Sequence, residues 1–425
     1  MTEETKPKLN AGKILAQELI GEAGSAPKGG GRRIAQAVMV PLLAVVTALL
    51  IGALIIVLTT ESVYTAFRAS LGAGLAESLR VVGEAYGALF AGAFGNPAKI
   101  AAALNSGDAQ AVRRAFNPFF ESLVAATPYI YGGLAVALGF RAGLFNIGVE
   151  GQLFVGALCA TFVGYALTGL PAILHLPLTV LAGALGGALW GFIPGYLKAK
   201  VGAHEVINTI MMNYIAFRLS DWLLSGPMKR PESFNPVSPF IADSAKLPRF
   251  FGPPIRFHAG FFLALIVAVL VWWFLFRTRW GFDLRTVGAN PRAARYAGMS
   301  IVVWTVMAMC ISGGLGGMAG SNEVIGVSYN LAMSFSSGYG FDSIALALLG
   351  KSHPVGVVLS ALLFGALRNG ATRMQVVAGI PIDIISILQA LILMFIAAPA
   401  IIRTIYRLRA PAEGEEVVSL RSWGE

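Results

Sequence analysis

The stretch Leu176–Leu197 reads LPLTVLAGALGGALWGFIPGYL and contains no charged residue. A helix of about 20 mostly apolar residues is long enough to cross the hydrocarbon core of a bilayer. Within the stretch, glycine recurs every four residues, at Gly183, Gly187, Gly191 and Gly195. Small residues at this spacing share one helix face and let two helices approach closely in lipid. The stretch therefore predicts a membrane-spanning helix that packs tightly against a neighbour.

The composition extends this prediction to the whole chain. Of its 425 residues, 56% are hydrophobic and 13% are charged, and the mean hydropathy is +0.70. Soluble domains have about 25% charged residues, so a soluble globular protein is excluded. We interpret the net charge of +10 as the cytoplasmic excess of Lys and Arg that orients membrane helices. Nucleic-acid binding is not expected, because no basic stripe interleaved with aromatic residues lies outside the apolar runs.

Nine apolar runs are interpreted as membrane helices. They are Ala35–Leu58, Phe119–Phe140, Gly151–Thr168, Leu176–Leu197, Ile207–Leu224, Phe261–Phe276, Ile301–Gly320, Val355–Leu367 and Ile384–Ile402. Basic residues precede the first run and follow the last, which places both chain ends in the cytoplasm and requires an even number of crossings. The tenth element is Phe341–Gly350, which is apolar but too short to span alone at 1.5 Å per residue.

The sequence therefore predicts an all-α fold, a polytopic membrane helix bundle of about ten membrane elements. Phe341–Leu367 is expected to form a broken hairpin around Lys351-Ser352-His353-Pro354, since non-helical backbone at such depth is tolerated only against protein or a water-filled cavity. The predicted regions are a cytoplasmic arm (1–34), a membrane domain (35–402) and a cytoplasmic tail (403–425). Segment 59–118 is expected on the outer face, either as amphipathic helices or as a non-spanning hairpin.

Residues 139–152, GFRAGLFNIGVEGQ, place Arg141, Asn146, Glu150 and Gln152 between two apolar runs. One interpretation is an ordinary cytoplasmic connection; the other is a packed element at the inner mouth of the bundle, with Glu150 buried. Residues 201–214, VGAHEVINTIMMNY, place Asn208 and Asn213 inside a predicted span. Such amides either line a pathway or, more commonly, bond neighbouring helices.

Residues 285–299, RTVGANPRAARYAGM, have the signals of a short helix in the predicted inner loop 277–298. Asn290 is a good N-cap and Pro291 is favoured at the first helical position. The helix would run over Arg292–Ala297 and end at Gly298 as its C-terminal cap. Two turns of helix suit a plug for a groove on a soluble partner, with small alanines allowing close docking. From the residues alone, a basic loop that merely fixes orientation is the preferred interpretation.

Taken together, these segments resemble the permease family of ABC importers for branched-chain amino acids, ribose and nucleosides. The stretches 143–152, GLFNIGVEGQ, and 338–371, GYGFDSIALALLGKSHPVGVVLSALLFGALRNGA, look most like the nucleoside-type branch. The resemblance runs from about Pro118 to Ile402. It implies a permease subunit that carries nucleosides, in particular purine nucleosides, across a bacterial inner membrane; a permease for ribose or simple sugars is the alternative within the family.

The resemblance also implies partners. They are a second, non-identical permease, a cytoplasmic ATPase that binds ATP-Mg, and an external substrate-binding lipoprotein or periplasmic protein, besides membrane lipid. No cofactor is expected on this chain, and it is not expected to be an enzyme. The third segment is similar to the family's coupling helix, which docks onto the ATPase. The positions that match are Gly288, Asn290, Pro291, Arg292, Ala293, Ala294, Arg295 and Gly298.

Nucleosides are large, neutral and polar, so their pathway needs amide and aromatic groups rather than a fixed charge. The polar candidates are Asn146, Glu150, Gln152, Asn208, Asn213 and Gln389, and the candidates for stacking are Tyr214 and Phe335.

An ion-coupled secondary transporter is the rival class, and it needs acids embedded in the membrane. The available acids, Glu150, Glu205, Glu323, Asp342 and Asp383, all lie near the ends of predicted spans, which argues against it. Residues 345–352, ALALLGKS, nearly match a phosphate-binding loop, but such a loop should follow a strand and open a helix. The four histidines and two cysteines are scattered, so neither a metal site nor a disulfide is expected.

Overall fold

The computed structural model describes residues 30–231, 233–381 and 383–407. Most of the predicted arm and tail therefore lies outside the described residues. The α-helices are α1 (Gly30–Thr59), α2 (Glu61–Ala69), α3 (Leu71–Phe94), α4 (Pro97–Ser106), α5 (Ala109–Arg141), α6 (Val149–Ala166), α7 (Ala172–Val201), α8 (Glu205–Ser225), α9 (Gly260–Arg277), α10 (Arg279–Ala289), α11 (Pro291–Tyr296), α12 (Ile301–Asn322), α13 (Tyr339–Leu349), α14 (Pro354–Ala378), α15 (Asp383–Ala397) and α16 (Pro399–Ile405). A π-helical segment, Glu323–Ser328, continues α12.

The polytopic helix bundle is confirmed. Within the described residues, seven helices are long and apolar enough to cross a membrane, and two shorter apolar helices, Tyr339–Leu349 and Asp383–Ile396, accompany them. Each predicted apolar run lies within one helix, apart from a few terminal residues, except Ile384–Ile402, which is divided between α15 and α16 by a break at Ala398. The largest shifts in a boundary are at α14, which ends eleven residues after the predicted Leu367, and at α5, which begins ten residues before the predicted Phe119. There, the side chain of Asp108 caps the helix by accepting a hydrogen bond from the Gln110 amide at 2.8 Å, and such a cap favours a helix start.

The broken hairpin is also present. Helix α13 ends at Leu349 and α14 begins at Pro354. Between them, Lys351 and Ser352 adopt positive φ angles of 52° and 49°, a left-handed backbone conformation that a continuing α-helix does not allow. Pro354 then starts the next helix. At the first position of a helix a backbone N–H has no partner within the helix, so proline, which lacks this N–H, is tolerated there.

Segment 59–118 is helical, and its longest helix packs against the bundle. Helix α3 contacts α14 so closely that a methyl group on Gly370 would overlap the Leu89 carbonyl oxygen. The opposite face of α3 carries the exposed ion pairs of Arg80 with Glu77 and Glu84. The helix therefore has one packed face and one polar face, as expected of an amphipathic element.

The glycine face of α7 packs closely against a neighbouring helix, as predicted, and that neighbour is α12. A methyl group on Gly187 would overlap the carbonyl oxygen of Gly313, and one on Gly317 would overlap that of Gly183. The backbones of the two helices are therefore in direct contact. Close backbone approach replaces the hydrophobic driving force that helices lack among lipid tails.

Two ends of the bundle can be distinguished by which loops touch. At the hairpin end, defined here by residues 141–148, 277–300 and 350–353, the Arg141 side chain donates a hydrogen bond to the Ser352 carbonyl at 3.0 Å. At the opposite, long-loop end, residues 226–259 cover the helix termini. The Ala242 amide there donates to the Gly164 carbonyl at 2.8 Å, and the Leu247 amide donates to the Ile325 carbonyl at 2.9 Å.

A pH-dependent stability is expected at the long-loop end. His258 is fully buried, and burial, together with repulsion from Arg249 and Arg256, lowers its pKa from 6.5 to about 4. Between these two values the unfolded ring binds a proton that the folded ring does not, so stability is highest above about pH 6.5 and falls as the pH drops toward 4. The full loss is up to about 3 kcal/mol.

Thermal unfolding of the purified chain at neutral pH and at about pH 5 measures this effect. His258→Gln should lose less stability between the two conditions than the unsubstituted chain. An equal loss in both proteins would show that another group titrates.

Candidate functional site

The hairpin end brings together three segments that are far apart in the sequence. The guanidinium of Arg141 lies 5.5 Å from the centre of the Phe276 ring, and that of Arg285 lies 5.2 Å from it. The same ring stacks on His353, with centroids 5.4 Å apart. One aromatic ring thus joins the 141–148 turn, the 277–300 loop and the break between α13 and α14.

The short helix α11 has the predicted caps. The Asn290 side chain accepts hydrogen bonds from the Arg292 and Ala293 amides at 3.1 and 3.0 Å. At the other end, Gly298 has a φ of 81°, and the Met299 amide reaches back to the Ala294 carbonyl at 3.0 Å. This pattern closes a helix and prevents its continuation. The helix ends at Tyr296, one residue before the predicted end.

The alanines of α11 do not share one role. Ala294 is fully buried in the chain, so it packs α11 onto the bundle and is not available for docking to another protein. Arg292, Ala293, Arg295 and Ala297 are exposed. Tyr296, which the sequence analysis did not select, is 98% exposed. The outward surface of α11 is therefore basic with one projecting aromatic ring.

Gly288 attaches this helix to the rest of the hairpin end. A methyl group on Gly288 would lie 2.5 Å from the Arg141 carbonyl oxygen, and one on Gly143 would lie 2.8 Å from the Gly288 carbonyl oxygen. Neither position has room for a side chain. The end of α10 and the 141–148 turn are therefore in direct backbone contact.

Asn146 lies at the centre of a buried hydrogen-bond network that connects helices. Its amide group donates to Gln152 at 3.0 Å and to Ser312 at 2.8 Å, and Ser312 donates to the Ala135 carbonyl at 2.7 Å. Asn213 accepts from the Gly151 amide at 2.8 Å and donates to the Ile147 carbonyl at 3.0 Å. Because these amides are buried and bonded to protein groups, they fix the 142–149 segment inside the bundle.

Glu150 is 2% exposed, so the interpretation as a packed element holds for this residue. Its carboxylate accepts a hydrogen bond of 2.5 Å from the Gly340 amide, in the first turn of α13. The N-terminus of a helix has unpaired N–H groups and a partial positive charge, which together favour a carboxylate. Helix α13 thus begins inside the bundle, directly against Glu150.

An ion pair lies beside this helix start. Asp342 accepts hydrogen bonds from Tyr129 at 2.7 Å and from Arg368 at 3.4 Å, and Arg368 also donates to the Tyr129 oxygen at 2.7 Å. Tyr339 stacks edge-on against Tyr129, with centroids 5.1 Å apart, and donates to Glu323 at 3.3 Å. We name Tyr129, Glu150, Glu323, Tyr339, Asp342 and Arg368 the central polar cluster.

The cluster lies well within the bundle. Tyr129 precedes Arg141, the last residue of α5, by 12 positions, or about 18 Å at 1.5 Å per residue. The start of α13 lies inside the bundle, because Glu150 is buried there and accepts from the Gly340 amide. Glu150 and Asp342 lie near helix starts along the chain, as predicted.

Three other predicted pathway residues lie apart from the cluster. Tyr214 is 61% exposed on the surface of α8. Asn208, also on α8, is half-buried, and its Nδ2 has no hydrogen-bond partner among the described residues. Gln389 lies on α15, next to the separate core that α15 forms with α1. The rings of Phe335 and Phe154 are in tilted contact, with centroids 4.8 Å apart. Phe154 is one helical turn beyond Glu150, so Phe335 lies close to the cluster.

Sequence reasoning missed Tyr129, Tyr339 and Arg368. The position of Arg368 directly after an apolar run was a usable signal, because a helix can continue past such a run and keep the arginine partly buried. Arg368 is half-buried. The predicted span ended at Leu367, whereas α14 continues for eleven more residues to Ala378. No comparable signal marked the two tyrosines, which look like ordinary aromatic residues of an apolar helix.

Substitution of Glu150 is expected to show how much its hydrogen bond with the Gly340 amide contributes to stability. Glu150→Gln keeps an oxygen that can accept from the Gly340 amide, whereas Glu150→Leu leaves that buried N–H unpaired, which costs about 1–3 kcal/mol. Glu150→Leu should therefore melt at a clearly lower temperature than Glu150→Gln in thermal unfolding of the purified chain. Equal melting temperatures would mean that the hydrogen bond contributes nothing to stability.

Comparison with known proteins gives consistent matches. Residues 119–397 match the family described as the permease component of the branched-chain amino acid transport system. A guanosine ABC transporter permease protein of Bacillus subtilis is 39% identical over 374 residues, which cover 86% of this chain and 94% of the relative. A glucose ABC transporter permease protein of Haloferax volcanii is 38% identical over 65% of this chain and 75% of the relative.

A nucleoside ABC transporter permease protein of Lactococcus lactis is 33% identical over 66% of this chain and 79% of the relative. The Bacillus and Lactococcus strains each have a second permease protein of the same transport type that also matches. No solved structure matches the chain.

Proposed function

The chain belongs to the permease family of the branched-chain amino acid transport system, and from this premise we propose that it forms the nucleoside pathway of an ATP-driven importer. It is an ABC permease of the nucleoside and sugar type, and its relatives are transport components. The observation that carries the nucleoside proposal is the 39% identity to a guanosine permease protein along 86% of the chain. Purine nucleosides are the proposed substrates.

The central polar cluster supports a neutral, hydroxyl-rich substrate. Arg368 and Asp342 pair with each other, so the charges at this point of the cluster compensate. Carboxylates accept hydrogen bonds from sugar hydroxyls, and phenols both donate to and accept from them. The ring of Tyr339, which is half-buried, can contact a base. The sequence favoured amide and aromatic groups in the pathway; in the structure most of those amides bond the helices together, and Asp342 and Arg368 form an ion pair.

We further propose that α11 is the coupling helix, with Arg292, Arg295 and Tyr296 facing a cytoplasmic ATPase. The support is a capped helix with an exposed basic surface, joined through Gly288 to the turn that precedes Glu150. ATP binding on the partner would displace α11, and the backbone contact would carry that displacement toward the central polar cluster. Such coupling requires that docking discriminate between the two states of the bundle.

The proposed assembly contains a second permease, an ATPase and an external substrate-binding protein, in a bacterial inner membrane with both chain ends in the cytoplasm. Two matching permease proteins in each of two bacteria support a pair of non-identical permeases. The regions 1–34, 35–402 and 403–425 are retained as the proposed arm, permease domain and tail.

Uptake of labelled guanosine and labelled glucose, in cells that lack other systems for either, tests the substrate. We expect deletion of this chain to abolish guanosine uptake and leave glucose uptake unchanged. Loss of glucose uptake alone would instead assign it to the sugar branch. Purified chain in liposomes with an ion gradient tests the rival class, since uptake there without an ATPase would identify an ion-coupled transporter.

A further inference from the structure

A crevice lined almost entirely by phenylalanine lies at the long-loop end. It has a volume of about 510 Å³, within the usual range for ligand sites. Apart from one leucine, its lining consists of Phe120, Phe250, Phe251, Phe257, Phe261 and Phe262. Phe250, Phe251 and Phe262 remain 53%, 39% and 47% exposed, so the crevice is open at the surface.

The lining excludes the transported substrate as the occupant. A nucleoside or sugar needs hydrogen-bonding groups that fix its orientation, and among the described residues only apolar side chains line this crevice. An acyl chain has no such requirement. The crevice is also separate from the central polar cluster, which lies about nine residues further along α5 at Tyr129.

The depth of the crevice suits a phospholipid. Phe120 precedes Arg141 by 21 residues, or about 32 Å along α5, and the hydrocarbon core of a bilayer is about 30 Å thick. With Arg141 at one membrane surface, the crevice lies where the acyl chains of the opposite leaflet join their head groups. A lipid there can place a chain among the rings and its phosphate at the rim.

Two arginines without carboxylate partners stand at this rim. The guanidinium of Arg113 lies over Gly252, with Nη1 2.9 Å from the position that a Cβ atom would occupy, and it has no hydrogen bond or ion pair to any described residue. Arg249 precedes Phe250, lies 4.7 Å over the Tyr329 ring and donates long hydrogen bonds of 3.4 Å to the Gly326 and Val327 carbonyls, but it has no carboxylate partner among the described residues. A third arginine, Arg256, is already neutralised by Glu121.

We infer that the phenylalanine crevice, with Arg113 and Arg249, is a binding site for an anionic phospholipid. Lipid tails are as apolar as the crevice, so burial of a chain alone does not favour the site over the surrounding bilayer. Selectivity comes from the two guanidinium groups, neither of which has a carboxylate partner among the described residues, and guanidinium groups bind phosphate with good geometry. The rings then hold the chain by close packing. This inference rests on the membrane fold and not on which substrate is carried.

The test uses the complete transporter, purified in mild detergent from membranes supplied with equal phosphatidylglycerol and phosphatidylcholine. Retained lipid is quantified by mass spectrometry. We expect phosphatidylglycerol to exceed phosphatidylcholine several-fold in the unsubstituted protein, and Arg113→Gln with Arg249→Gln to bring the ratio close to one. Phe251→Ala with Phe262→Ala should lower the retention of both lipids.

Arg114→Gln is the matched control, because Arg114 is adjacent in sequence, 62% exposed and already paired with Asp108 at 3.8 Å. It should keep the ratio of the unsubstituted protein. If the double arginine variant does not assemble, the two single variants, each at an exposed position, give the same comparison. Equal retention of both lipids by the unsubstituted protein, an unchanged ratio in the arginine variants, or a protein segment crosslinked into the crevice from position 262 would each overturn the inference.

Discussion

Gly187→Ala is expected to lower the free energy of unfolding by at least about 2 kcal/mol. Alanine is the better helix former by about 1 kcal/mol, so the sign depends on whether the new methyl group fits. It does not fit, because it would overlap the Gly313 carbonyl oxygen and lie 2.7 Å from both the Cα and the amide nitrogen of Gly317. These are backbone atoms, and only a separation of α7 from α12 can relieve the contact.

Gly83→Ala is the control for this prediction. Gly83 also lies inside a helix, α3, but a methyl group there would meet no atom within 4 Å. This change should be neutral or stabilising by up to about 1 kcal/mol. Thermal unfolding of both purified variants in detergent measures the difference, and equal melting temperatures would refute the claim that the α7–α12 contact tolerates no side chain.

Reversing the charges on α11 is expected to abolish transport without unfolding the chain. In Arg292→Glu with Arg295→Glu, both changes are at exposed positions, where substitutions shift stability by only about 0.5 kcal/mol. If this basic surface docks on acidic groups of an ATPase, the two new glutamates repel those groups where the two arginines attracted them. Like charges that face each other at an interface cost several kcal/mol. Guanosine uptake should therefore fall at least about tenfold, which corresponds to 1.4 kcal/mol.

The control for this prediction is Arg279→Glu, an exposed arginine of the same loop at the start of α10. It should keep most of the uptake. The amount of each variant in the membrane is measured in parallel, so that loss of protein is distinguished from loss of coupling. Full uptake by the doubly reversed variant, at normal protein levels, would remove α11 from the coupling role.

Local signals predicted local structure well. The caps of α11 followed from Asn290, Pro291 and Gly298, because each acts through the backbone of its own turn. The break between α13 and α14 likewise followed from four consecutive residues, Lys351-Ser352-His353-Pro354, the last of which starts the next helix. The glycine spacing of α7 predicted a close helix contact, although it could not name α12 as the partner.

The functional assignments of single residues were less predictable. Asn146 and Asn213 were candidates for a pathway, and the structure shows them bonded to buried protein groups instead. Ala294 was a candidate for docking and is buried in the chain itself. Each of these outcomes depends on which helix lies opposite, and one sequence contains no direct information about that.

The sequence by itself determined that the chain lies in a membrane, which runs are helical, how α11 is capped, and, by resemblance, the family. These properties follow from apolar length, glycine spacing and backbone capping, which act over a few residues. Only the tertiary structure placed Glu150 against the Gly340 amide, 190 positions away in sequence, and assembled Tyr129, Asp342 and Arg368 around one ion pair. Such contacts depend on which helix faces pack together and on the axial positions of the helices. Both are determined by the packing of the complete bundle.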